Sequence, residues 1–352
     1  MFEHYTDRVG RGQVLSAAEV SEVVLGLVRE DVAAEVKAAF LMALAQRGET
    51  PAEIAAFARE LRDRAVEVQV EERVRAGEIL DVVGTGGDRL NTFNLSTTAA
   101  LLVAAGGVTV AKHGNRAVTS QSGSADLLEA LGVRIDLDAA AAGRWLAEHR
   151  FAFLFAPKYH PAFRFIAPAR RLCAEAGQRT LFNYLGPLLN PARPSAQLMG
   201  VPRPELCEPM AEVLRSLGVR RAMVVCGEAP GGMFLDEMST LGATVVAEFY
   251  QDHALSQTRL DLSLLPTRGA TIEALRGADP ATNALMTRRV LTGVERGAFR
   301  DAVLLNAGAA FWVAGAAGSI LEGWSKAEAV IESGEAGRYL ERLVDASRRA
   351  SD

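Results

Sequence analysis

The apolar period of this chain changes once, near Gly77, and that change limits the folds open to it. From Ser16 to Val70 apolar residues recur three and four apart, as Val20, Val23, Val24 and Leu27 and again as Phe40, Leu41 and Leu44, the pattern of amphipathic helices. Gly48-Glu49-Thr50-Pro51 breaks that run as a helix stop followed by a fresh N-cap with proline in the first turn. Residues 1–76 are therefore expected to form a small all-helical domain. Beyond Gly77, β-rich runs at 79–83, 108–111, 151–156, 222–226 and 244–249 alternate with helical stretches at 96–105, 125–131, 204–217 and 302–314. That alternation predicts an α/β domain over 77–352, with a mostly parallel central sheet flanked by helices. Pro161, Pro168, Pro187 and Pro191 punctuate the segment after His160, around a helix through Arg170 and Arg171. This segment is expected to return to the helical domain around 168–190, making that domain discontinuous. A length of 352 residues agrees with two domains, since single cores stop growing at roughly 250–300 residues.

Ligands of parallel sheets bind beyond the carboxyl ends of the strands, where loops lead into helices. Three polar loops fall there: Gly84-Thr85-Gly86-Gly87-Asp88, then Asn94-Leu95-Ser96-Thr97-Thr98, then Lys112-His113-Gly114-Asn115-Arg116 leading to Ser122-Gly123-Ser124-Ala125-Asp126. Glycines let backbone N–H groups approach an anion, and Ser, Thr and Asn both cap helices and hydrogen-bond oxyanions. Three such loops in series suggest a ligand with several phosphates. Each loop alone also has a plainer reading. Residues 84–88 fit a tight turn, because neither the dinucleotide glycine spacing nor a Gly-Lys-Ser/Thr ending is present. Asn94, Ser96 and Thr97 are expected to cap the next helix, a task compatible with anion binding. Lys112 follows a strand and is either a solvated group or a mobile charge that reaches a phosphate, and His113 alone reads as a structural histidine.

Far downstream, Asp236 and Glu237 stand together after a strand and Gly231-Gly232. Adjacent acids are common on surfaces, but such a pair also suits Mg²⁺, which takes one or two carboxylates together with water and phosphate oxygens. The three anion loops would provide the phosphate half of that arrangement.

Charge and cysteine usage exclude other classes. The formal net charge is −5 with no block of basic residues, so an extended nucleic-acid surface has no support. Cys173, Cys207 and Cys226 are odd in number and far apart, fitting buried thiols rather than a disulfide framework or a metal pair. The first residues lack a secretory pattern and no apolar run approaches the roughly 20 residues that span a bilayer, so a cytoplasmic protein without a membrane partner is expected.

In order along the chain, Gly84-Thr85-Gly86-Gly87-Asp88, Asn94-Leu95-Ser96-Thr97, Lys112-His113-Gly114-Asn115-Arg116, Gly123-Ser124-Ala125-Asp126 and Asp236-Glu237 resemble the anthranilate phosphoribosyltransferase family. The resemblance extends to residues 40–44 with 48–51, to 182–191 and to 300–306, and so covers nearly the whole chain. It implies a homodimer of the nucleoside phosphorylase-type phosphoribosyltransferase fold. The implied reaction moves the 5-phosphoribosyl group of phosphoribosyl pyrophosphate to the amino group of anthranilate, in tryptophan biosynthesis. By the same resemblance Gly84, Gly87, Asp88, Thr92, Asn94, Ser96, Thr97, Lys112, Ser120 and Ser124 hold the sugar donor. Ser96, Asp236 and Glu237 order Mg²⁺, and Gly84, His113, Asn115, His160 and Arg170 receive anthranilate.

No dedicated acid or base is implied, and the chemistry explains why. Departure of pyrophosphate builds positive charge on the ribose and negative charge on the leaving group, so cations and N–H donors are needed around it. A neutral aniline nitrogen is already nucleophilic, and positioning supplies much of the rest. Arg170 suits a carboxylate because its planar fork binds both oxygens.

Departures from the family pattern lie beside these residues. Arg89 stands where glycine is common, Cys226 stands where histidine is common, and the segments 228–234 and 171–180 are longer than usual. The departures leave open transfer to another aromatic acid or phosphorolysis of a nucleoside. Asn115 with Arg170 favours a carboxylate acceptor, and the intact acidic pair speaks against a silent nucleic-acid-binding relative.

Overall fold

Eight strands form one sheet in the computed structural model, which describes residues 2–117, 121–251, 253–261, 263 and 265–349. They are β1 (Ile79–Gly84), β2 (Thr109–Gly114), β3 (Phe151–Phe155), β4 (Ala196–Gly200), β5 (Arg221–Ala229), β6 (Met233–Leu235), β7 (Thr244–Tyr250) and β8 (Ser256–Leu260). The order is β3-β2-β1-β4-β5-β7-β8, with β6 paired to β5. The first five strands of that order run parallel, and β6, β7 and β8 add antiparallel pairings. The expected mostly parallel sheet is thus present, with β4 inserted between β1 and β5 where the sequence suggested no strand.

Alternation along the strands divides the interior. Leu198, Met223, Val225 and Val246 face a core shared with the helices Leu95–Ala105 and Ala298–Val313. Met199, Val224, Cys226, Ala247 and Phe249 face the opposite way, into a core shared with the amino-terminal helices. Those helices are Phe2–Gly10, Ala17–Leu27, Ala34–Arg47 and Pro51–Arg62. The break at 48–51 has the expected construction: Gly48 ends one helix at φ 89°, and Thr50 and Glu53 form a reciprocal capping box with Pro51 in the first turn.

The segment after His160 contributes Ile166, Ala169, Cys173, Leu181, Phe182 and Leu185 to this second core. Its helix Ala167–Glu175 packs on Ala34–Arg47, and the buried Lys37 ammonium donates to Phe165 O at 2.9 Å. All three cysteines are free and buried, as expected. Among the described residues no helix is long and apolar enough to cross a membrane.

Candidate active site

The carboxyl ends of β1, β2 and β4 and the turn after β6 converge where parallel strands present their loops. Close backbone approach is what glycine supplies here. A Cβ on Gly200 would lie 1.5 Å from Asp236 O, and one on Gly84 would lie 2.2 Å from Asp236 Oδ2. Only because both are glycine can the acidic segment lie across the strand ends. Asn306, on the helix Ala298–Val313, holds that segment from behind by donating to Met238 O and accepting from Met238 N, both at 3.1 Å.

Three carboxyl groups meet at this point. Asp236 Oδ2 accepts from Gly86 N at 2.7 Å, and Glu237 Oε1 accepts from Ser96 N at 3.2 Å. Asp88 is pushed up to about 7, first by burial and then by the Asp236 charge. Burial likewise raises Asp236, and burial together with Asp236 and Asp88 holds Glu237 well above the usual carboxylate range. Among the described residues Glu237 Oε2 is buried without a hydrogen-bond partner. Among the described residues no group of three or more acids, histidines or cysteines is arranged to cage a metal by itself. Crowded acids with one orphaned oxygen therefore fit a cation such as Mg²⁺ that completes its shell with water and ligand phosphates.

The second loop departs from expectation. Asn94 occupies the N-cap position of Leu95–Ala105, yet its side chain makes no capping bond. Its amide donates to Ser122 O at 2.9 Å and its carbonyl accepts from Asn283 at 2.9 Å, so it ties the second loop to the third. No cap side chain therefore covers the Thr97 N–H at that amino terminus, while the Ser96 N–H is taken by Glu237. Thr97 is buried in the first turn, and Thr92 bridges to Arg276.

Lys112 also differs from the expected mobile charge at a strand end. The strand β2 runs on through Lys112 and His113 to Gly114, and Lys112 is only 2% exposed. Its ammonium donates to Val82 O and, at 3.4 Å, to Ser96 Oγ. Burial lowers its pKa, opposed by the charges of Asp81 and Glu237. Asp81, pushed up to about 6 by burial, accepts from Asn190 Nδ2 at 2.8 Å. The cation is therefore held at a fixed place under the first two loops.

The third loop is clamped by Asp126, which accepts from Gly123 N and Ala117 N at 2.9 Å each and pairs with Arg116. Ser124 Oγ lies at Gly114, where a Cβ would sit 2.6 Å away, and donates to Asn115 O at 3.5 Å. Asn115 Oδ1 accepts from Arg116 N at 2.8 Å. Ser120 lies outside the described residues.

On the other side of β2 the rings take over. His113 Nδ1 lies 3.1 Å from Gly186 O, and its Nε2 lies 3.2 Å from His160 Nε2. Burial pushes His113 down to about 3 and His160 down to about 4, so both are neutral. Edge-to-face contacts continue from His160 to Phe163 and from Phe163 to Phe182, whose ring carries the Arg170 guanidinium 5.4 Å from its centroid. Arg170 is thus linked to His113 through one aromatic row, and its partial desolvation lowers its pKa.

Four positioning residues escaped the reading of the sequence. Asp81 is an acid inside an apolar strand and Asn190 an amide inside Leu188-Leu189-Asn190-Pro191; that contrast is the signal that marks them. Asn306 shows the same contrast inside an apolar helix. Arg179 had no such signal, and its guanidinium lies where a Cβ on Gly87 would meet it at 2.6 Å.

Two family models match: the helical bundle domain of a glycosyl transferase family over residues 3–65 and its a/b domain over residues 76–337. The chain is 45% identical over 340 residues to the anthranilate phosphoribosyltransferase of Roseiflexus castenholzii, covering 97% of this chain and 96% of that one. The crystal structure of the Thermus thermophilus anthranilate phosphoribosyltransferase is similar with a TM-score of 0.88 at 45% identity, covering 98% of this chain and 99% of that one. The Saccharomyces cerevisiae anthranilate phosphoribosyltransferase, solved in complex with PRPP and Mg, is similar with a TM-score of 0.86 at 27% identity, covering 99% and 98%.

Proposed function

This chain belongs to the anthranilate phosphoribosyltransferase family, and on that premise we propose that it moves the 5-phosphoribosyl group of phosphoribosyl pyrophosphate onto the amino group of anthranilate. The products are N-(5-phosphoribosyl)anthranilate and pyrophosphate, and the step belongs to tryptophan biosynthesis. One observation carries the reading for this molecule: three crowded, half-buried carboxyls, one with a buried oxygen that has no partner among the described residues, face the amides of a glycine loop beside a helix amino terminus. Such a place needs a cation and a polyphosphate together.

In the reaction the bond from the anomeric carbon to the pyrophosphate oxygen breaks with its electron pair leaving on oxygen. The lone pair of the amine forms the new carbon–nitrogen bond, and the amine then loses a proton to water. Gly84, Gly87, Asp88, Thr92, Asn94, Ser96, Thr97, Lys112, Ser120 and Ser124 hold the donor in this reading. The fixed Lys112 ammonium and the Thr97 N–H at the helix amino terminus, which no cap side chain covers, are set before the reaction begins, so they stabilise developing phosphate charge without reorganising. Magnesium bound by Asp236, Glu237 and the Ser96 hydroxyl would neutralise charge on the departing pyrophosphate.

Anthranilate lies against Gly84, His113, Asn115 and His160 with its carboxylate on Arg170. Neutral histidines line such a site without competing for that carboxylate. The partners extend to a second copy of the chain: the helical domain, residues 1–76 with the return around 168–190, exposes Val14, Leu25 and Val36, which a homodimer would cover. Three free buried thiols suit a reducing cytoplasm.

The test follows loss of anthranilate fluorescence with phosphoribosyl pyrophosphate and Mg²⁺, beside a panel of substituted benzoates and nucleobases. Magnesium-dependent loss with anthranilate is expected. Turnover of another aromatic acid alone would move the acceptor, and turnover of a nucleobase would replace the reading.

A further inference from the structure

A second cavity, of about 470 Å³, opens at the mouth of the site between the loop after Asp88 and the segment 272–276. Arg89, Asn91, Gln121, Met233, Glu273 and Arg276 border it. Each of three site loops contributes: Arg89 follows Asp88, Gln121 precedes Ser122 and Met233 begins the strand that leads into Asp236. Its walls are tied together, because Phe93 N donates to Leu275 O at 2.9 Å and Gly277 N donates to Asn91 O at 2.8 Å.

Two observations mark the cavity as built for an anion. Among the described residues neither Arg89 nor Arg276 has an ion-pair partner, and Glu273 offsets only one of their two charges. The second is backbone strain. Arg89 sits at φ 63°, in the left-handed region that glycine enters freely and that strains any other residue. A cation is placed where glycine would relieve the chain, and strain of that kind is retained where the side chain has a task.

Resting on the phosphoribosyltransferase reading, we infer that Arg89 and Arg276 form an exit subsite that grips the terminal phosphate of pyrophosphate as it leaves the carboxylate centre. Guanidinium forks match phosphate oxygens with two hydrogen bonds each. A net-positive pocket just outside three acids draws the departing dianionic phosphate outward along the path that product must take. The two arginines are positioning residues for the leaving group, and make the enzyme sensitive to accumulated pyrophosphate.

The experiment compares wild type with Arg89→Gly, Arg276→Gln and the double variant as full-length proteins. Arg89→Gly relieves backbone strain, so its Tm is expected to hold or rise, which separates binding from folding. The inhibition constant for pyrophosphate against phosphoribosyl pyrophosphate is expected to rise about five- to tenfold in each single variant, with the KM for anthranilate moving less than twofold. Calorimetric titration of pyrophosphate with Mg²⁺ onto the same proteins reads the subsite without any acceptor. Unchanged pyrophosphate affinity in both single variants would overturn the subsite, as would an equal change in the anthranilate KM. Failure of wild type to consume anthranilate would instead overturn the reading of the acceptor, while the titration still decides the subsite.

Discussion

On the side proposed for the donor, Gly84 and Gly200 bring backbone amides and the acidic segment to within contact of each other, whereas on the side proposed for the acceptor the rings of His113, His160, Phe163 and Phe182 pack edge to face. The first surface is made of main chain and cannot carry even a methyl group at its crossing points. The second is made of side chains, each of which is replaceable at the cost of its own packing. On the proposed assignment, donor recognition is fixed by the fold, while acceptor recognition is open to change by single substitutions. The departures in this chain fall beside both sides without entering the main-chain crossing: the glycine loop and the acidic pair are intact, Arg89 and 228–234 flank them, and the lengthened segment 171–180 adjoins Arg170 and places Arg179 against Gly87.

The sharpest way to break this contrast is one methyl group on each side. Gly200→Ala places a Cβ 1.5 Å from Asp236 O, a backbone atom that cannot step aside, and about 3 kcal/mol or more of stability should be lost with the activity. Gly186→Ala, on the acceptor side, meets open space in a helical conformation and should change stability by less than about 0.5 kcal/mol. Urea unfolding of both variants measures the difference. Equal losses would mean that the two sides do not differ in the way proposed.

Next in size is the pair Asp236→Asn with Glu237→Gln. Turnover should fall by about a hundredfold or more, because the proposed Mg²⁺ site would lose its charged ligands. Stability should hold or rise, since the change removes crowded, half-buried like charges whose ionisation the fold already opposes. Retained turnover at low Mg²⁺ would remove the pair from the metal site.

How much of this was readable before folding follows the same line. The glycine loop after β1 and the capping box at Thr50 were legible because each is a local instruction, satisfied within a few residues. The strand β4 was not, since Ala196-Gln197-Leu198-Met199-Gly200 has no β-branched or aromatic residue; it is a strand because β1 and β5 pair with it on both edges. Lys112 and His113 looked like loop residues because they are polar, yet the partners that let them lie buried in β2 are Val82, Ser96, Gly186 and His160, all distant in sequence. Asn94 was expected to cap its helix, and Ser122 and Asn283 claim its side chain instead. The row from His113 to Arg170 crosses from a strand to the segment that packs on the helical domain, and no periodicity records such a contact.

Acceptor recognition itself is sharpened by Arg170→Ala. The guanidinium lies on the Phe182 ring and has no carboxylate partner among the described residues, so its loss should raise the KM for anthranilate about ten- to a hundredfold. The KM for phosphoribosyl pyrophosphate should stay within twofold. Parallel rises in both constants would remove Arg170 from the acceptor side and attach it to closure of the whole site.

The smallest expected effect tests whether the acceptor side is held by neutral rings. In the unfolded chain each histidine ionises near its ordinary value of about 6.5. Folded, His113 stays neutral down to about 3 and His160 down to about 4, because burial opposes the charged form and His113 also faces the His160 ring. Between those values the unfolded chain binds more protons than the folded one, so stability is complete above pH 6.5 and declines as pH falls. At pH 5.5 each ring should account for a loss of about 1.4 kcal/mol. Urea unfolding at pH 7.5 and 5.5 should therefore show a smaller acid loss in His160→Phe than in wild type, by that amount. An identical acid loss in the two proteins would show that the pair takes up a proton while folded, and the acceptor carboxylate would then meet a cation at His113 rather than a neutral edge.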